Sequence, residues 1–509
     1  MLEKINKLRY FALLISFINL VLYHFAFYKF VVASIDLKSF SGILLLISLT
    51  ILALFLNALV FYIGLFLLRV VGKWVLVIFF NINAVALYFI NTYGVIIDKS
   101  MVGNILNTNL AESSSYFSFT LILYLVFLGI IPSVLLFKFK VEPVKFKSFL
   151  IHVFVTLFLL LTLAYANSPN WLWIDKNSKT LGGLAMPWSY VVNTISFYYQ
   201  QNQENQEQIL LPNTTVKDAE KSIMVLVIGE SARSQNFSLY GYKKNTNPLL
   251  SKIDNVHHFK AESCATYTTA GIKCILEYEN TGKLFEILPN YLFRNDIEVF
   301  WRTTNWGEPT VKIKNYQNTE ALRKLCKGEG CDYDEILLAG LKEQIATSKK
   351  NKILVVLHTS TSHGPTYYKK YPPRFNTFTP ECKSVELANC SQAELINAYD
   401  NTIVYTDYIL ASLIGQLKEL KGYNSSMIYI SDHGESLGEN NLYMHGLPVS
   451  IAPKEQLDIP FIVWTSNDSR KLKENEILTQ HNIFHSVLDY LSIGSPIYDE
   501  NMSIFKKKK

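Results

Sequence analysis

Five apolar stretches, all before residue 167, constrain this chain more than any other feature. They run approximately over 10–32, 42–68, 74–96, 119–137 and 149–166. A helix needs about 20 such residues to cross a bilayer. Backbone in hydrocarbon must satisfy its own polar groups, so residues 1–166 are expected to form a transmembrane domain of five helices. The first stretch is too long for a cleaved signal peptide, lacks a small-residue cleavage site and is followed by four more spans. Lys4, Lys7 and Arg9 precede the first span. Arg69 and Lys73 separate the second from the third, and Lys138, Lys140, Lys145 and Lys147 the fourth from the fifth. The other two loops carry only Lys38 and Lys99. This bias puts the N-terminus in the cytoplasm and everything after about residue 167 on the far side of the membrane, the periplasm in a bacterium with two membranes.

The remainder has ordinary soluble composition, and 509 residues leave room for two or three domains. A net charge of +6, spread over scattered lysines, does not suggest a nucleic-acid partner; the closing run Lys506–Lys509 reads as a solvated end. Residues 167–220 mix Trp171, Trp173 and Trp188 with a polar run from Gln200 to Gln208. They read as an interfacial helix over Pro187–Tyr199 and a flexible linker. All six cysteines follow residue 260, in three close pairs: Cys264 with Cys274, Cys326 with Cys331, and Cys382 with Cys390. Local pairing suggests three disulfides and an oxidising compartment. A zinc-ribbon-like site is the alternative, although no pair has the usual two-residue spacing.

From residue 221 to 509, buried strands alternate with helices. The strands are Ile223–Ile228, Lys352–Leu357, Met427–Ile430 and Asp458–Trp464; the helices are Ala393–Leu420 and Asn482–Leu491. Such alternation predicts an α/β domain with a mostly parallel sheet covered by helices, and chemistry at the carboxyl ends of its strands. Glu230, His358, His363, Asp432, His433 and, a little further on, His445 fall near such ends. One Asp-His pair is more often structural, but carboxylates and imidazoles from several separate segments suit Zn²⁺. Between Cys264 and Cys274 lies a loop bearing Thr266, Thr268 and Thr269 at the start of a helix. It is either an ordinary turn or a source of a nucleophilic hydroxyl near a helix N-terminus, which favours anions. In the segment Asp98–Ser118, Asn104, Thr108 and Glu112 recur every fourth residue, which on a helix shares one face. That face is either a solvated interfacial one or a grip for a cationic lipid headgroup.

Several runs are more specific. They are Gly229-Glu230-Ser231-Ala232-Arg233 with Asn236 to Tyr242, the cysteine-bracketed threonine loop, His363-Gly364-Pro365-Thr366-Tyr367-Tyr368, and Ser431-Asp432-His433-Gly434-Glu435-Ser436-Leu437-Gly438-Glu439-Asn440. His445-Gly446 and Ala452 to Gln456 follow. In these the chain resembles the phosphoethanolamine transferases of Gram-negative inner membranes. That group includes lipid A transferases and mobile colistin-resistance enzymes, within the alkaline phosphatase/sulfatase superfamily. The resemblance covers essentially the whole chain. It implies a periplasmic zinc-dependent catalytic domain over 221–509, with one or two Zn²⁺. Glu230, Asp432 and His433 would bind zinc together with the nucleophile Thr268, for which Thr266 and Thr269 are fallbacks. His363 and His445 would sit by the phosphoryl group, and Asn104, Thr108 and Glu112 would grip the ethanolamine.

The expected reaction moves phosphoethanolamine from phosphatidylethanolamine to lipid A or the lipopolysaccharide core through a phosphothreonine, releasing diacylglycerol. The alternatives are a phosphoglycerol transferase, a membrane-anchored phosphodiesterase or phosphatase, and a non-catalytic membrane scaffold. The chain departs from the family pattern at Ser231 and Ala265, where relatives usually have Thr and Gly, and at Thr269 and Gly271–Lys273. Thr303–Pro309 replaces an acidic-Asn stretch with a lysine, leaving Lys312 and Lys314 as candidates for a substrate-contacting lysine.

Overall fold

The computed structural model describes residues 6–108, 113, 114, 116–167, 170–204, 208–279, 283–467, 470–473 and 477–506. The chain divides into two compact units, Met1–Gly103 with Phe117–Tyr198, and Asn104–Tyr116 with Tyr199–Lys509.

The first unit is helical: α1 (Leu8–Tyr23), α2 (Phe25–Ser34), α3 (Phe40–Leu68), α4 (Val70–Tyr93), α5 (Phe119–Leu136), α6 (Phe146–Ala166) and α7 (Trp188–Glu204, whose last turns belong to the second unit). Helices α3, α4, α5 and α6 are long and apolar enough to cross a bilayer. The stretch expected as the first span is two helices that are together long and apolar enough to cross, bent by 68° at their junction. The cause is at His24, whose Nδ1 lies 3.1 Å from the Asn19 carbonyl. That oxygen would otherwise serve only the helix ladder, and a side chain inserted there kinks a helix. In α5, Pro132 supplies no N–H for the Leu128 carbonyl. The Tyr23 hydroxyl donates to that oxygen at 2.5 Å instead, and a six-residue π-helical segment, Leu125–Ile130, precedes the proline. Amides inside the bundle pair with one another. Asn83 Nδ2 donates to Asn19 Oδ1 at 2.9 Å, and Asn19 Nδ2 donates to the Met186 carbonyl at 2.9 Å. The helix read as interfacial, α7, turns Trp188 and Tyr190 onto Asn57 and Asn83, at 2.5 and 3.0 Å.

The second unit is built on an eight-stranded sheet: β1 (Ser222–Gly229), β2 (Val256–Glu262), β3 (Glu298–Thr303), β4 (Asn315–Gln317), β5 (Lys352–His358), β6 (Asn424–Ser431), β7 (Asp458–Thr465) and β8 (Leu478–Thr479). The order is β8-β2-β7-β6-β1-β5-β3-β4. Pairing is parallel except that β7 runs against both β6 and β2. The central strands β1 and β5 are buried along their whole length, as their aliphatic sequences require when both faces of a sheet are covered. Helices α8 (Thr268–Leu276), α9 (Gln392–Glu419) and α10 (Asn482–Tyr490) pack around it. The capping box of Ser391 and Glu394 starts α9. Ile272 and Ile275 of α8, and Phe484 and Val487 of α10, join the strand side chains in the core.

The six cysteines form the three disulfides that their spacing suggested. Cys264 is bonded to Cys274, Cys326 to Cys331, and Cys382 to Cys390. The first ties the threonine loop to α8, which contains Cys274. The other two close short loops, their partners five and eight positions apart in sequence. No cysteine is left free to hold a metal as a thiolate, so the zinc-ribbon alternative falls away.

Candidate metal and phosphoryl site

Strands β1 and β6 are parallel neighbours in the middle of the sheet, in register from Ser222 opposite Asn424 to Gly229 opposite Ser431. The residues just past their ends are therefore side by side: Glu230 from β1, Asp432 and His433 from β6. All three are buried. Asp432 Oδ1 accepts from the backbone N–H groups of Ser231 (3.0 Å) and His433 (2.7 Å). Its other oxygen, Oδ2, is buried without a hydrogen-bond partner among the described residues and lies 3.3 Å from His433 Nε2. His433 Nδ1 is 2.9 Å from the Gly434 carbonyl. A carbonyl only accepts, so a proton sits on Nδ1 and Nε2 faces the two carboxylates. Glu230 Oε1 is 3.4 Å from the same Nε2.

Thr268 is the first residue of α8. Its Oγ1 lies 3.4 Å from His433 Nε2 and 3.4 and 3.5 Å from the Glu230 oxygens. The Thr266 hydroxyl points elsewhere, donating to the Leu447 carbonyl at 2.5 Å. Separations of 3.3–3.5 Å are long for hydrogen bonds. They are what an ion at about 2.0–2.1 Å from each of four tetrahedral ligands would give, an edge of about 3.3 Å. The electrostatics agree. Burial and then Glu230 push Asp432 up to about 7. Burial would lower His433, but Asp432 and Glu230 together raise it to about 10. The two carboxylates therefore favour positive charge at Nε2, where either a proton or a divalent cation in its place would sit. Glu230, Asp432, His433 and Thr268 thus fit a divalent metal, by their spacing and by the orphaned Asp432 oxygen.

Three residues that sequence reasoning missed hold this arrangement. Asn305, past the end of β3, donates from Nδ2 to Glu230 Oε2 at 2.6 Å and to the Thr359 carbonyl at 2.9 Å. Gln480 bridges the two halves of the site. Its amide donates to the Ser431 and Asp432 carbonyls, at 3.0 and 2.6 Å, and accepts from the Cys264 N–H at 3.1 Å. Gly271 lets α8 approach: a Cβ there would stand 2.2 Å from the Asp432 carbonyl oxygen. Gly271 and Asn305 fall in stretches read only as departures from the family pattern, and Gln480 had no signal beyond a polar residue before a helix. Ser231, buried beside them, adopts a left-handed backbone (φ 51°), strain of the kind that gathers at functional sites. Its hydroxyl donates to Glu230 Oε1 at 2.8 Å.

A second group adjoins the first. The ring of His445 is 4.1 Å from that of His433 and 5.6 Å from that of His363. Its Nδ1 meets Glu435 Oε2 at 2.7 Å, and the Tyr367 hydroxyl donates to Glu435 Oε1 at 2.5 Å. His433, Glu435 and His445 are close enough to share an ion. Burial and then His433 hold His445 below the ordinary histidine range. Asn104 lies near this turn: a Cβ on Gly446 would be 3.5 Å from its Nδ2, and its Oδ1 is buried without a partner among the described residues. Thr108 donates to the Asn104 carbonyl at 2.7 Å; Glu112 lies outside the described residues. His358 stands apart from the cluster, its Nδ1 3.2 Å from Thr303 Oγ1 and 3.5 Å from Glu308. Lys312 and Lys314 are exposed. The motif residues Asn236, Tyr240 and Tyr242 are scaffolding: Asn236 and Tyr242 bind Asp400 of α9, and Tyr240 caps the Phe259 and Phe461 carbonyls.

Residues 222–493 match the sulfatase family, and residues 52–202 match the family described as phosphoethanolamine transferase EptA/EptB. Phosphoethanolamine transferase EptA of Helicobacter pylori is 40% identical over 98% of this chain and 96% of its own length. Phosphatidylethanolamine transferase Mcr-1 of Escherichia coli is 32% identical over 84% of each. Among solved structures, the integral membrane lipooligosaccharide phosphoethanolamine transferase A of Neisseria meningitidis superposes with a TM-score of 0.86 over 97% of both chains, at 26% identity. Likeness at this level runs through both units of the chain, and the chain belongs to the EptA/EptB phosphoethanolamine transferase family of the alkaline phosphatase-like superfamily.

Proposed function

We propose that this protein takes phosphoethanolamine from phosphatidylethanolamine and passes it, by way of Thr268, to lipid A or the lipopolysaccharide core. The observation that carries the reading is the Thr268 hydroxyl, held 3.4–3.5 Å from Glu230 and His433. It stands at the N-terminus of a nine-residue helix, in a chain matched end to end by named transferases of this group. The acceptor is assigned by analogy with relatives described as acting on lipooligosaccharide or Kdo(2)-lipid A.

In the first step Thr268 Oγ1 attacks the phosphorus, the bond to the glycerol oxygen breaks, and diacylglycerol leaves with the threonine proton. In the second an acceptor oxygen attacks the phosphothreonine and Thr268 recovers its hydroxyl. Glu230, Asp432, His433 and Thr268 would hold Zn²⁺, which would lower the hydroxyl pKa and offset charge on the phosphoryl oxygens. The chain's own groups do the rest. The first N–H groups of α8 carry no side-chain cap and face anionic oxygen favourably. His363, its proton fixed on Nδ1 by the Gly364 carbonyl at 2.7 Å, and His445 flank the phosphoryl position and pass the proton to the leaving oxygen. Asn104, Thr108 and Glu112 receive the ethanolamine end. The protein sits in the inner membrane with its N-terminus in the cytoplasm and its α/β unit in the periplasm.

Mass spectrometry of membrane glycolipids and of the intact protein tests this. Wild type adds one phosphoethanolamine to the glycolipid, and a trapped adduct maps to Thr268; Thr268→Ala shows neither. Transfer by Thr268→Ala, an adduct on Thr266 or Thr269, or release of free phosphoethanolamine without a modified glycolipid would overturn it.

A further inference from the structure

Helices α1 and α6 begin side by side. The Glu142 N–H donates to the Asn6 carbonyl at 2.7 Å, and Lys7 pairs with Glu142 as a parallel bridge. A cavity of about 330 Å³ opens here, lined by Lys7, Arg9, Tyr62, Glu142, Lys145 and His152 among others. Both helices start at this end without a side-chain cap. Two positive helix ends therefore add to three cationic side chains set against one carboxylate.

Lysines at a membrane boundary need no ligand to explain them, because the positive-inside bias supplies such residues. That bias does not explain Tyr62. It lies six residues before the end of α3, roughly 9 Å along the helix. It is 5% exposed, and its hydroxyl is buried without a hydrogen-bond partner among the described residues. Its ring stacks on Phe149 and neighbours His152, with centroids at 5.4 and 6.1 Å. Arg9 is oriented. Its Nη1 is 2.8 Å from His152 Nε2, and His152 Nδ1 is 2.5 Å from the Ser148 carbonyl. The carbonyl fixes the proton on Nδ1, so Nε2 accepts from Arg9. The guanidinium keeps further N–H donors for an oxyanion.

We propose that this cavity binds a phosphate group, that of an anionic phospholipid headgroup. Arg9, Lys7 and Lys145 supply the charge, and the Tyr62 hydroxyl donates to a phosphate oxygen. The volume suits a headgroup, since ligand sites begin at about 300 Å³. A lipid fits better than a free anion because α6 buries only 6% of its most apolar window. Exposed Phe146, Leu150 and Phe154 leave that helix open to acyl chains.

The test uses the full-length protein in non-ionic detergent and native mass spectrometry, with added phosphatidylglycerol, phosphatidylethanolamine or inorganic phosphate. Wild type is expected to retain phosphatidylglycerol in preference to phosphatidylethanolamine, and excess inorganic phosphate to leave it in place. Retention falls about tenfold in R9Q/K145Q and about fivefold in Tyr62→Phe, which preserves the ring stack. Equal retention by Tyr62→Phe and wild type overturns the proposal, and that variant decides alone should R9Q/K145Q fail to fold. Displacement by inorganic phosphate would make this a free-anion site, and phosphatidylethanolamine retention that falls in R9Q/K145Q as far as that of phosphatidylglycerol would remove the charge argument; either result refutes the assignment.

Discussion

Replacing Gly271 by alanine sets two effects of opposite sign against each other. Alanine is preferred to glycine in a helix interior by about 1 kcal/mol, so propensity alone predicts a more stable protein. The structure predicts the reverse. The new Cβ would lie 2.2 Å from the Asp432 carbonyl oxygen, a backbone atom, and such contacts are essentially never found under 3.0 Å. Helix α8 must retreat by about 1 Å, a displacement that costs a reacting group about a hundredfold in rate. Overpacking of this kind costs about 1–3 kcal/mol, which cancels or exceeds the helical gain. Gly271→Ala is therefore expected to transfer phosphoethanolamine about a hundredfold more slowly than wild type, with stability unchanged or lower by up to about 2 kcal/mol. The assay is the initial rate of glycolipid modification in matched membranes, read by mass spectrometry beside a thermal melt of the purified protein. A variant within about threefold of wild type, melting at or above its temperature, would refute the idea that this close approach positions Thr268.

Asn305→Ala removes the donor that fixes Glu230 Oε2, and is expected to weaken zinc retention about 10–100-fold in a competition titration with a chromophoric chelator. Gln480→Leu removes a donor from the Ser431 and Asp432 carbonyls, the second of which keeps the Ser263 hydroxyl at 2.7 Å, and the acceptor of the Cys264 N–H; thermal unfolding should report a loss of about 2 kcal/mol, and a loss under about 0.5 kcal/mol would count against its bridging role. At Asp218 burial would raise the carboxyl, but hydrogen bonds from Lys352 and Ser492, the Lys352 charge and the Glu220 N–H outweigh it and bring the group from 3.8 down to about 2. A depressed carboxyl stabilises the fold above its unfolded value and stops doing so below its folded one. The advantage of wild type over Asp218→Asn in urea unfolding should thus be full above pH 3.8 and vanish as pH falls through about 2; a gap unchanged at the acid end would contradict it.

Much of this was legible because strong signals are short and local. The aliphatic runs before Glu230 and Asp432 declared buried strands, and the runs Gly229–Arg233 and Ser431–Asn440 carried the resemblance to the transferase family. The disulfides followed from spacing, since each partner is the nearest cysteine along the chain. What stayed hidden depends on contacts between distant segments. Strands β2 and β3 are partly polar or lie behind unremarkable loops, and the reversed direction of β7 leaves no mark on its composition. Asn305 and Gln480 matter through the atoms they touch, not through their neighbours in the chain. The bend at His24 is a histidine reaching back five residues, which hydropathy reads as one continuous span.

Neighbouring strands β1 and β6 are joined by some 200 residues of intervening chain. At about 5–20 residues per second, roughly 10–40 s of synthesis separate them. During that interval Glu230 has neither Asp432 nor His433 beside it, and Thr268 has only half of its surroundings. On the proposed reading the nascent chain is therefore inert, although Thr268 is already made. On that reading the site is complete only once β6 pairs with β1, and a product that stops before β6 cannot react.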